Sequence, residues 1–575
     1  MENVEIAENF HELGFFTELE DDANASFKAR AYHRAADVIA GLSSDIQDIY
    51  RKEGLNGLIE IPSVGKAIAS KIEECIMTGR IKHLEELKLK IPIAINELSE
   101  IEGIGPKTIK LLYAKLQIKN LADLEKAALE GSLRNVPGFT VKKEHAIVQR
   151  IQFIKKGKDR YLIGEVYPLV KEIESRLSQI AGVKKAIIAG SVRRMKETIR
   201  DIDYLVISKD TKKVMEYFVT MPEVQTVSSR GSNKASVQLK NGMDADLLVV
   251  PEESFGSAIQ YFTGSKEHVV EIRKIAVAKD LHLNEWGVFD KERKRVAGAT
   301  EEEVYRILGL DWIPPEMREN KGEVELAKNS KLQKLIEYGS LKGDLQVHSN
   351  NTDGTKSIEE MALAAREKFE LDYIAITDHT KSLTVAHGLD EEKLLEQADK
   401  IATLNDELDD FRILSSAEVN IMKDGSLDIS NNVLDKLDIV GASVHSNFTL
   451  PIEAQTERLV KAARNPSVDI LFHPTGRLIN RREAYPIDIK KVISVAKDTN
   501  TVIEIDAHYN RLDLNDDYVK MAVQNKVKLV IDSDAHHPVH YSFLMFGIGQ
   551  ARRGWAEKSD ILNTLPVDEL LKSLK

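Results

Sequence analysis

Seven short apolar segments recur through residues 340–575, near 343–348, 373–377, 412–415, 438–442, 469–472, 501–505 and 528–532, each separated from the next by a helical pattern. Strands separated in this way pair in parallel, because a parallel crossover needs a dozen or more residues. Seven repeats suit a closed barrel, whose strand C-termini bring side chains together on one rim.

The rest of the chain has a different texture. Residues 1–155 read as short amphipathic helices, with apolar residues at helical spacing over 27–42 and 121–133. From about 160, strands alternate with helices, the clearest strands lying at 185–189, 204–207 and 246–250. The run Trp312-Ile313-Pro314-Pro315-Glu316 is expected to mark a boundary, since consecutive prolines break helices and ladders alike. No apolar run reaches the roughly 18 residues of a membrane span. A lone cysteine, Cys75, excludes an intramolecular disulfide and cysteine-based zinc motifs. With no basic, apolar leader at the start, the expected location is cytoplasmic.

Net charge is −12, which argues against a nucleic-acid partner until it is divided by segment. Residues 51–160 hold 21 basic and 14 acidic side chains, a net of +7, whereas residues 1–50 and 321–575 carry −8 and −10. That basic block contains a degenerate repeat: Ile61-Pro62-Ser63-Val64-Gly65-Lys66, Ile101-Glu102-Gly103-Ile104-Gly105-Pro106-Lys107, and Val136-Pro137-Gly138-Phe139-Thr140. Each is a tight turn opening a helix, where a phosphate can reach free amides. The repeat resembles the helix–hairpin–helix motif, which grips DNA backbone without reading sequence.

Two further constellations carry chemistry. Gly190-Ser191-Val192-Arg193-Arg194 precedes Asp201-Ile202-Asp203, whose carboxylates share one strand face. Paired carboxylates there suit two divalent cations, and a Gly-Ser loop ending in arginines suits a triphosphate. In 340–575, His348, Asp353, His379, Glu418, His445, His473, Asp534 and His536 cluster at strand ends, a ligand set for zinc or manganese.

Residues 5–320 resemble the family X DNA polymerases of the nucleotidyltransferase superfamily. The match rests on Gly190-Ser191 with Arg193-Arg194, Asp201-x-Asp203, Tyr261-Phe262-Thr263-Gly264-Ser265 and Asn284-Glu285, at the family's spacings. The resemblance implies that Asp201, Asp203 and a third aspartate hold Mg2+ or Mn2+. It also implies that Gly190, Ser191, Arg193 and Arg194 form the triphosphate loop, with Ser191 and Arg194 in contact. Tyr261 and Phe262 would face the incoming sugar, Gly264 would belong to the same nucleotide-binding set, and Arg273 would face the template. Of Asp244 and Asp246, the family's interval to Tyr261 selects Asp246, with Asp244 at the outer edge. Leu248 stands where the family often has arginine, and Ser63 where it has a hairpin glycine. Lys71 matches the Schiff-base lysine of the family's repair enzymes; a phosphate-binding helical lysine is the other reading.

Residues 339–575 resemble the PHP (polymerase and histidinol phosphatase) domain, through Gly343–His348, Asp353-Gly354, Thr377-Asp378-His379, Glu418-Val419-Asn420, Ser443-Val444-His445, His473-Pro474-Thr475-Gly476-Arg477 and Asp532–His536. Eight of that family's nine ligands are present, and the ninth, a histidine, is Gln346 here. Up to three Mn2+ or Zn2+ ions are implied, with one position weakened, and Arg477 could hold a substrate phosphate. The expected fold class is multidomain α+β and α/β. It divides into a helical DNA-end-binding domain (1–90), helix–hairpin–helix fingers (91–155), a nucleotidyltransferase palm (156–255), a thumb (256–318), a linker (319–338) and a (β/α)7 PHP barrel (339–575). A monomeric gap-filling DNA polymerase follows, acting on gapped or nicked DNA with deoxynucleoside triphosphates, with 3′–5′ exonuclease or other phosphoesterase activity, including abasic-site cleavage, in the barrel. A polymerase or DNA-end-binding protein whose barrel is weakly active or inactive because of Gln346, or a small-molecule phosphatase, would be the alternatives. If the +7 block provides the phosphate contacts, binding of gapped DNA should weaken steeply between about 50 and 200 mM salt. Hydrolysis of a small chromogenic ester by the barrel should change little over the same range.

Overall fold

The computed structural model describes residues 3–574 except 20–23, 41–45, 100, 102–103, 142, 146, 149–150 and 152–159. Two compact units emerge, residues 1–158 and 159–575. The first is helical. Its helices include Asn3–Leu19, Ala25–Ala40, Ile46–Glu60, Lys66–Thr78, Lys82–Lys90, Pro106–Leu116 and Leu121–Leu129. In Lys66–Thr78 the buried residues are Ile68, Ala69, Ile72 and Cys75, the one-sided pattern of an amphipathic helix. They join Phe10, Leu13, Phe16, Leu58 and Leu84 in one core.

The three repeats share one backbone hydrogen bond. Val64 N donates to Ile61 O at 3.0 Å, Ile104 N to Ile101 O at 3.0 Å, and Phe139 N to Val136 O at 3.1 Å. Glu102 and Gly103 of the second turn lie outside the described residues. The third position is left-handed in both turns where it is described, with Gly138 at φ +86° and Ser63 at +64°. Glycine adopts that conformation freely, whereas Ser63 carries a backbone cost of about 1 kcal/mol. Gly65 and Gly105 begin the following helices with no side-chain cap, so amides of the first turn stay open to a ligand.

The second unit contains two principal sheets. In the first, strands β1 (Val183–Ile188), β2 (Asp201–Ser208), β3 (Val224–Arg230), β4 (Lys234–Leu239) and β5 (Asp244–Val250) lie in the order β1-β2-β5-β4-β3. Only the central β2–β5 pair is parallel. Helices Ile163–Ser178 and Thr211–Val219 cover one face through Val170, Ile173, Val214 and Phe218. Helix Phe255–Thr263 covers the other, where Leu248 packs with Ala258 and Ile259, a dry setting that suits leucine. Beyond it, a small antiparallel sheet (His282–Asn284, Gly287–Phe289, Arg295–Ala297) and helix Glu301–Ile307 complete the thumb region.

The Pro314-Pro315 run is no exposed hinge. Pro315–Met317 is a buried 3-10 turn, because Ile313 and Met317 join the apolar core around Tyr305. Within 319–338, Val324, Ala327 and Leu335 join the same core, and Glu323 is fully buried with its carboxylate 2.7 Å from His268 Nδ1.

The second sheet is the parallel barrel: β6 (Gly343–Val347), β7 (Tyr373–Ile376), β8 (Arg412–Asn420), β9 (Ile439–Ser443), β10 (Ile470–Leu471), β11 (Val502–Asp506) and β12 (Leu529–Asp532), in that order. A single parallel bridge, Val347 to Ala535, brings its edges together. Alternate side chains face the helices or the barrel interior, as the period of two requires. The interior set is Leu345, Tyr373, Ala375, Leu414, Ile439, Ile470, Phe472, Val502 and Val530, stoppered at one end by Leu562 and Leu570. Gly441 makes room there for Phe472, since a Cβ on Gly441 would lie 1.8 Å from the ring. Gly441→Ala should therefore lower stability by about 1–3 kcal/mol, read as a reduced urea midpoint, with partial recovery in Gly441→Ala/Phe472→Leu.

Candidate active sites

The parallel register of β2 and β5 sets Asp201 opposite Asp244 and Asp203 opposite Asp246. Asp201 and Asp244, the first residues of β2 and β5, are exposed, with Asp203 and Asp246 deeper. Burial, with the charges of Asp201 and Asp246 added, pushes the Asp203 carboxyl up to about 7. Lys234 on β4 meets Asp246 at 3.0 Å and offsets part of the repulsion. Gly190, at φ +60°, closes over Asp203, whose Oδ2 would lie 2.2 Å from a Cβ at that position. Only glycine lets the loop pass so near the carboxylate.

The Ser191 hydroxyl is buried with no hydrogen-bond partner, a feature that fits a bound anion such as a triphosphate. Arg193 forms a two-pronged pair with Glu301 at 2.7 and 2.9 Å and also donates to Thr263 Oγ1. Burial would raise the Glu301 carboxyl, but Arg318 and Arg193 hold it far below the usual range. Arg194 donates Nε to Glu319 at 3.0 Å and Nη1 to the Thr263 carbonyl. Tyr261 and Phe262 meet edge to face at 5.2 Å, and the Arg273 guanidinium lies 4.9 Å above the Tyr261 ring. Lys71 lies in the other unit, half-buried on helix Lys66–Thr78.

In the barrel the eight expected ligands meet at the strand C-termini. Glu418 is their hub: Oε1 lies 2.8 Å from His473 Nε2 and 3.1 Å from His445 Nε2, and Oε2 lies 2.9 Å from His379 Nδ1. His348 Nε2 stands 3.3 Å from Asp534, while Asp353 lies 3.4 Å from both His379 and His536. Candidate donor atoms of His348, Asp353, His379 and His536 all fall within 4.8 Å of one another, as do those of His379, Glu418 and His445. Burial opposes the Glu418 charge, yet the His445 and His379 rings hold its carboxyl well below the usual range. His445 Nδ1 is anchored on Asn420 Oδ1 at 2.8 Å, which fixes the ring that faces Glu418. Both amide atoms of Gln346 and both ring nitrogens of His348 are buried without hydrogen-bond partners. Buried donors left open in this way fit a cation.

Arg477, expected at a substrate phosphate, instead pairs with Glu197 beside the first sheet, at 2.7 Å. Three charged residues near these sites escaped sequence reading. They are Lys234, Glu319 and Arg511, whose Nε lies 3.3 Å from Asp506 and 3.5 Å from Asp534. None belongs to a local motif; each acquires its role through a neighbouring strand or helix.

A palm with facing aspartates, joined to a barrel rimmed by histidines and carboxylates, defines a nucleotidyltransferase fused to a metal-dependent phosphoesterase. Residues 258–319 match a family model described as DNA polymerase beta thumb, 1–81 a helix-hairpin-helix domain, and 95–152 a SAM-like helix-hairpin-helix tandem. The chain is 36% identical over 578 residues to the DNA polymerase/3'-5' exonuclease PolX of Bacillus subtilis (strain 168), covering 100% of both. A probable phosphatase of Thermoanaerobacter sp. (strain X514) is 32% identical over 213 residues, 33% of this chain and 78% of the relative. DNA polymerase lambda of Rattus norvegicus is 23% identical over 290 residues, 45% of this chain and 48% of that one. The chain belongs to the PolX family of DNA polymerase/3'-5' exonucleases.

The Asp203 environment generates a signed pH prediction. A carboxyl raised to about 7 in the fold favours the folded state below its unfolded value near 4, and that advantage is lost as pH rises through 7. Without divalent cations, Asp203→Asn should exceed the parent in stability by about 4 kcal/mol at pH 8 and converge with it near pH 4. Millimolar Mg2+ should raise the parent's melting temperature and leave the variant's unchanged.

Proposed function

We propose that this chain fills short gaps in DNA and trims 3′ ends by phosphodiester hydrolysis in its barrel. The full-length likeness to a polymerase/exonuclease is the observation that carries the reading. The Asp203–Asp246 register and the unpartnered Ser191 hydroxyl support it in the palm. In the polymerase step the primer 3′-hydroxyl releases its proton to solvent, and its oxygen bonds to the α-phosphorus of a deoxynucleoside triphosphate as the bond to the bridging oxygen breaks. Pyrophosphate leaves, carrying the negative charge. Mg2+ or Mn2+ held by Asp201, Asp203 and Asp246 would supply Lewis-acid polarisation and charge neutralisation.

The protein's own residues do the positioning. Ser191 and Arg194 take the triphosphate, Tyr261 and Phe262 bound the sugar, and Arg273 faces the template, its guanidinium seated over Tyr261. Arg193, committed to Glu301, fixes the loop from behind. The uncapped starts of helices Lys66–Thr78 and Pro106–Leu116 take backbone phosphates. In the barrel, His348, Asp353, His379, Glu418, His445, His473, Asp534 and His536 hold Mn2+ or Zn2+, with the Gln346 amide oxygen as a weaker neutral donor. The chain acts as a monomer in a DNA-repair setting.

Primer extension and 3′ trimming on a one-nucleotide gap, with Mn2+, test both halves. Asp246→Ala should abolish nucleotide addition, by about 10³-fold or more, and leave gapped-DNA binding within a few-fold. Glu418→Gln should abolish 3′ trimming and leave addition intact. Equal loss of binding and addition in Asp246→Ala, or trimming retained in Glu418→Gln, would overturn the assignment.

A further inference from the structure

We propose that Arg553, the last residue of the barrel helix Leu544–Arg553, is a positioning residue of the palm's nucleotide site, holding Arg194 and its loop ready for the incoming triphosphate. The inference rests on the reading of Arg194 given above and adds to it a part for the barrel in polymerisation.

Arg553 is 4% exposed, and its guanidinium has three acceptors. Nη1 donates to the backbone carbonyl of Arg194 at 3.0 Å and to Glu319 Oε1 at 2.9 Å, and Nη2 donates to Asp516 Oδ2 at 2.7 Å. The same Glu319 oxygen receives Arg194 Nε at 3.0 Å. One carboxylate therefore sits between two guanidiniums, one from the nucleotide loop and one from the barrel. Asp516 is fixed in turn by Lys321 at 3.1 Å. Apolar contact runs beside the polar one: a Cβ on Gly549 of the same helix would lie 2.9 Å from Met195, the residue after Arg194.

Arg194 consequently has Nε on Glu319 and Nη1 on the Thr263 carbonyl, and among the described residues Nη2 has no hydrogen-bond partner. An arginine anchored through two of its nitrogens has already lost most of its rotamer freedom, so a ligand at the third need not supply that ordering. Arg553 also shares the Glu319 charge. Without it, Glu319 would retain only Arg194 at 3.0 Å and Lys196 at 3.8 Å, and would draw the loop arginine more firmly to itself. Both effects act on nucleotide capture, and neither touches the reacting atoms.

The test is single-nucleotide insertion on one-nucleotide-gapped DNA by the full chain. Arg553→Gln should raise KM for the nucleotide about tenfold with kcat within twofold. Arg553→Lys, which keeps the charge but not the fork, should raise it about threefold. Glu319→Gln added to Arg553→Gln should change KM less than the product of the single effects. Gapped-DNA affinity should match the parent's. If Arg553→Gln does not fold by circular dichroism, Arg553→Lys and Asp516→Asn carry the same KM criterion. Unchanged KM, or kcat and DNA affinity falling along with it, overturns the inference. Arg194→Gln separates the two levels. A normal KM in that variant defeats the reading of Arg194 itself, whereas a raised KM there with a normal one in Arg553→Gln defeats only the part assigned to the barrel.

Discussion

Carboxylates crowded beyond what folding alone can neutralise are the constraint behind both sites. In the palm, parallel pairing brings the Asp201–Asp203 strand beside the Asp244–Asp246 strand, and Lys234 supplies the nearest offsetting cation. In the barrel, Glu504, Asp506 and Asp532 are all pushed well above the usual carboxylate range, by burial first and then by neighbouring acids. Such groups are costly unless a cation or a proton is shared among them. The barrel's answer is imidazole: the His536 ring, which burial would depress, is raised to about 9 by Asp534 and Asp353. Glu418 survives as a buried charge because three histidines lie within about 3 Å of its oxygens. Divalent cations suit the same places because they bring more charge to the same oxygens.

The second constraint is the joint between palm, thumb and barrel. Arg477–Glu197, Arg552–Glu316 and Arg553–Glu319 bridge it at 2.7, 2.8 and 2.9 Å. Ring contact accompanies them, with Tyr167 and Phe546 edge to face at 5.6 Å. The ring of Tyr509 occupies the space a side chain at Gly164 would need. Removing one partner of a buried pair leaves the other charge stranded, so these pairs tie the relative placement of the parts to their chemistry. The 190–194 loop is thereby held through the Arg194 carbonyl by Arg553, 359 positions away.

Elements with strong periodicity were readable from the chain, and those fixed by neighbours were not. All seven barrel strands fall where alternating apolar segments place them, because each must be buried on both faces. Strands β3 and β4 were missed: β3 is largely exposed and Thr226, Ser229 and Arg230 give it no apolar signature, so pairing defines it. The proline run interrupts helix and strand as its residues require, while Ile313 and Met317 beside it still pack into the thumb core. Ser63 shows the reverse case, a local preference overridden by the turn that its neighbours build.

The sequence by itself determined the chemical types and their order along the chain: aspartates two apart on a strand, glycine beside serine before paired arginines, histidines after successive barrel strands. These are local facts, set by side-chain alternation and by the backbone freedom of glycine. Only the tertiary structure decided which groups meet. It paired Arg477 with Glu197, committed Arg193 to Glu301, and put a barrel arginine behind the 190–194 loop. Such pairings depend on distances between elements far apart in sequence, and charge energy falls with distance in space while sequence records only order.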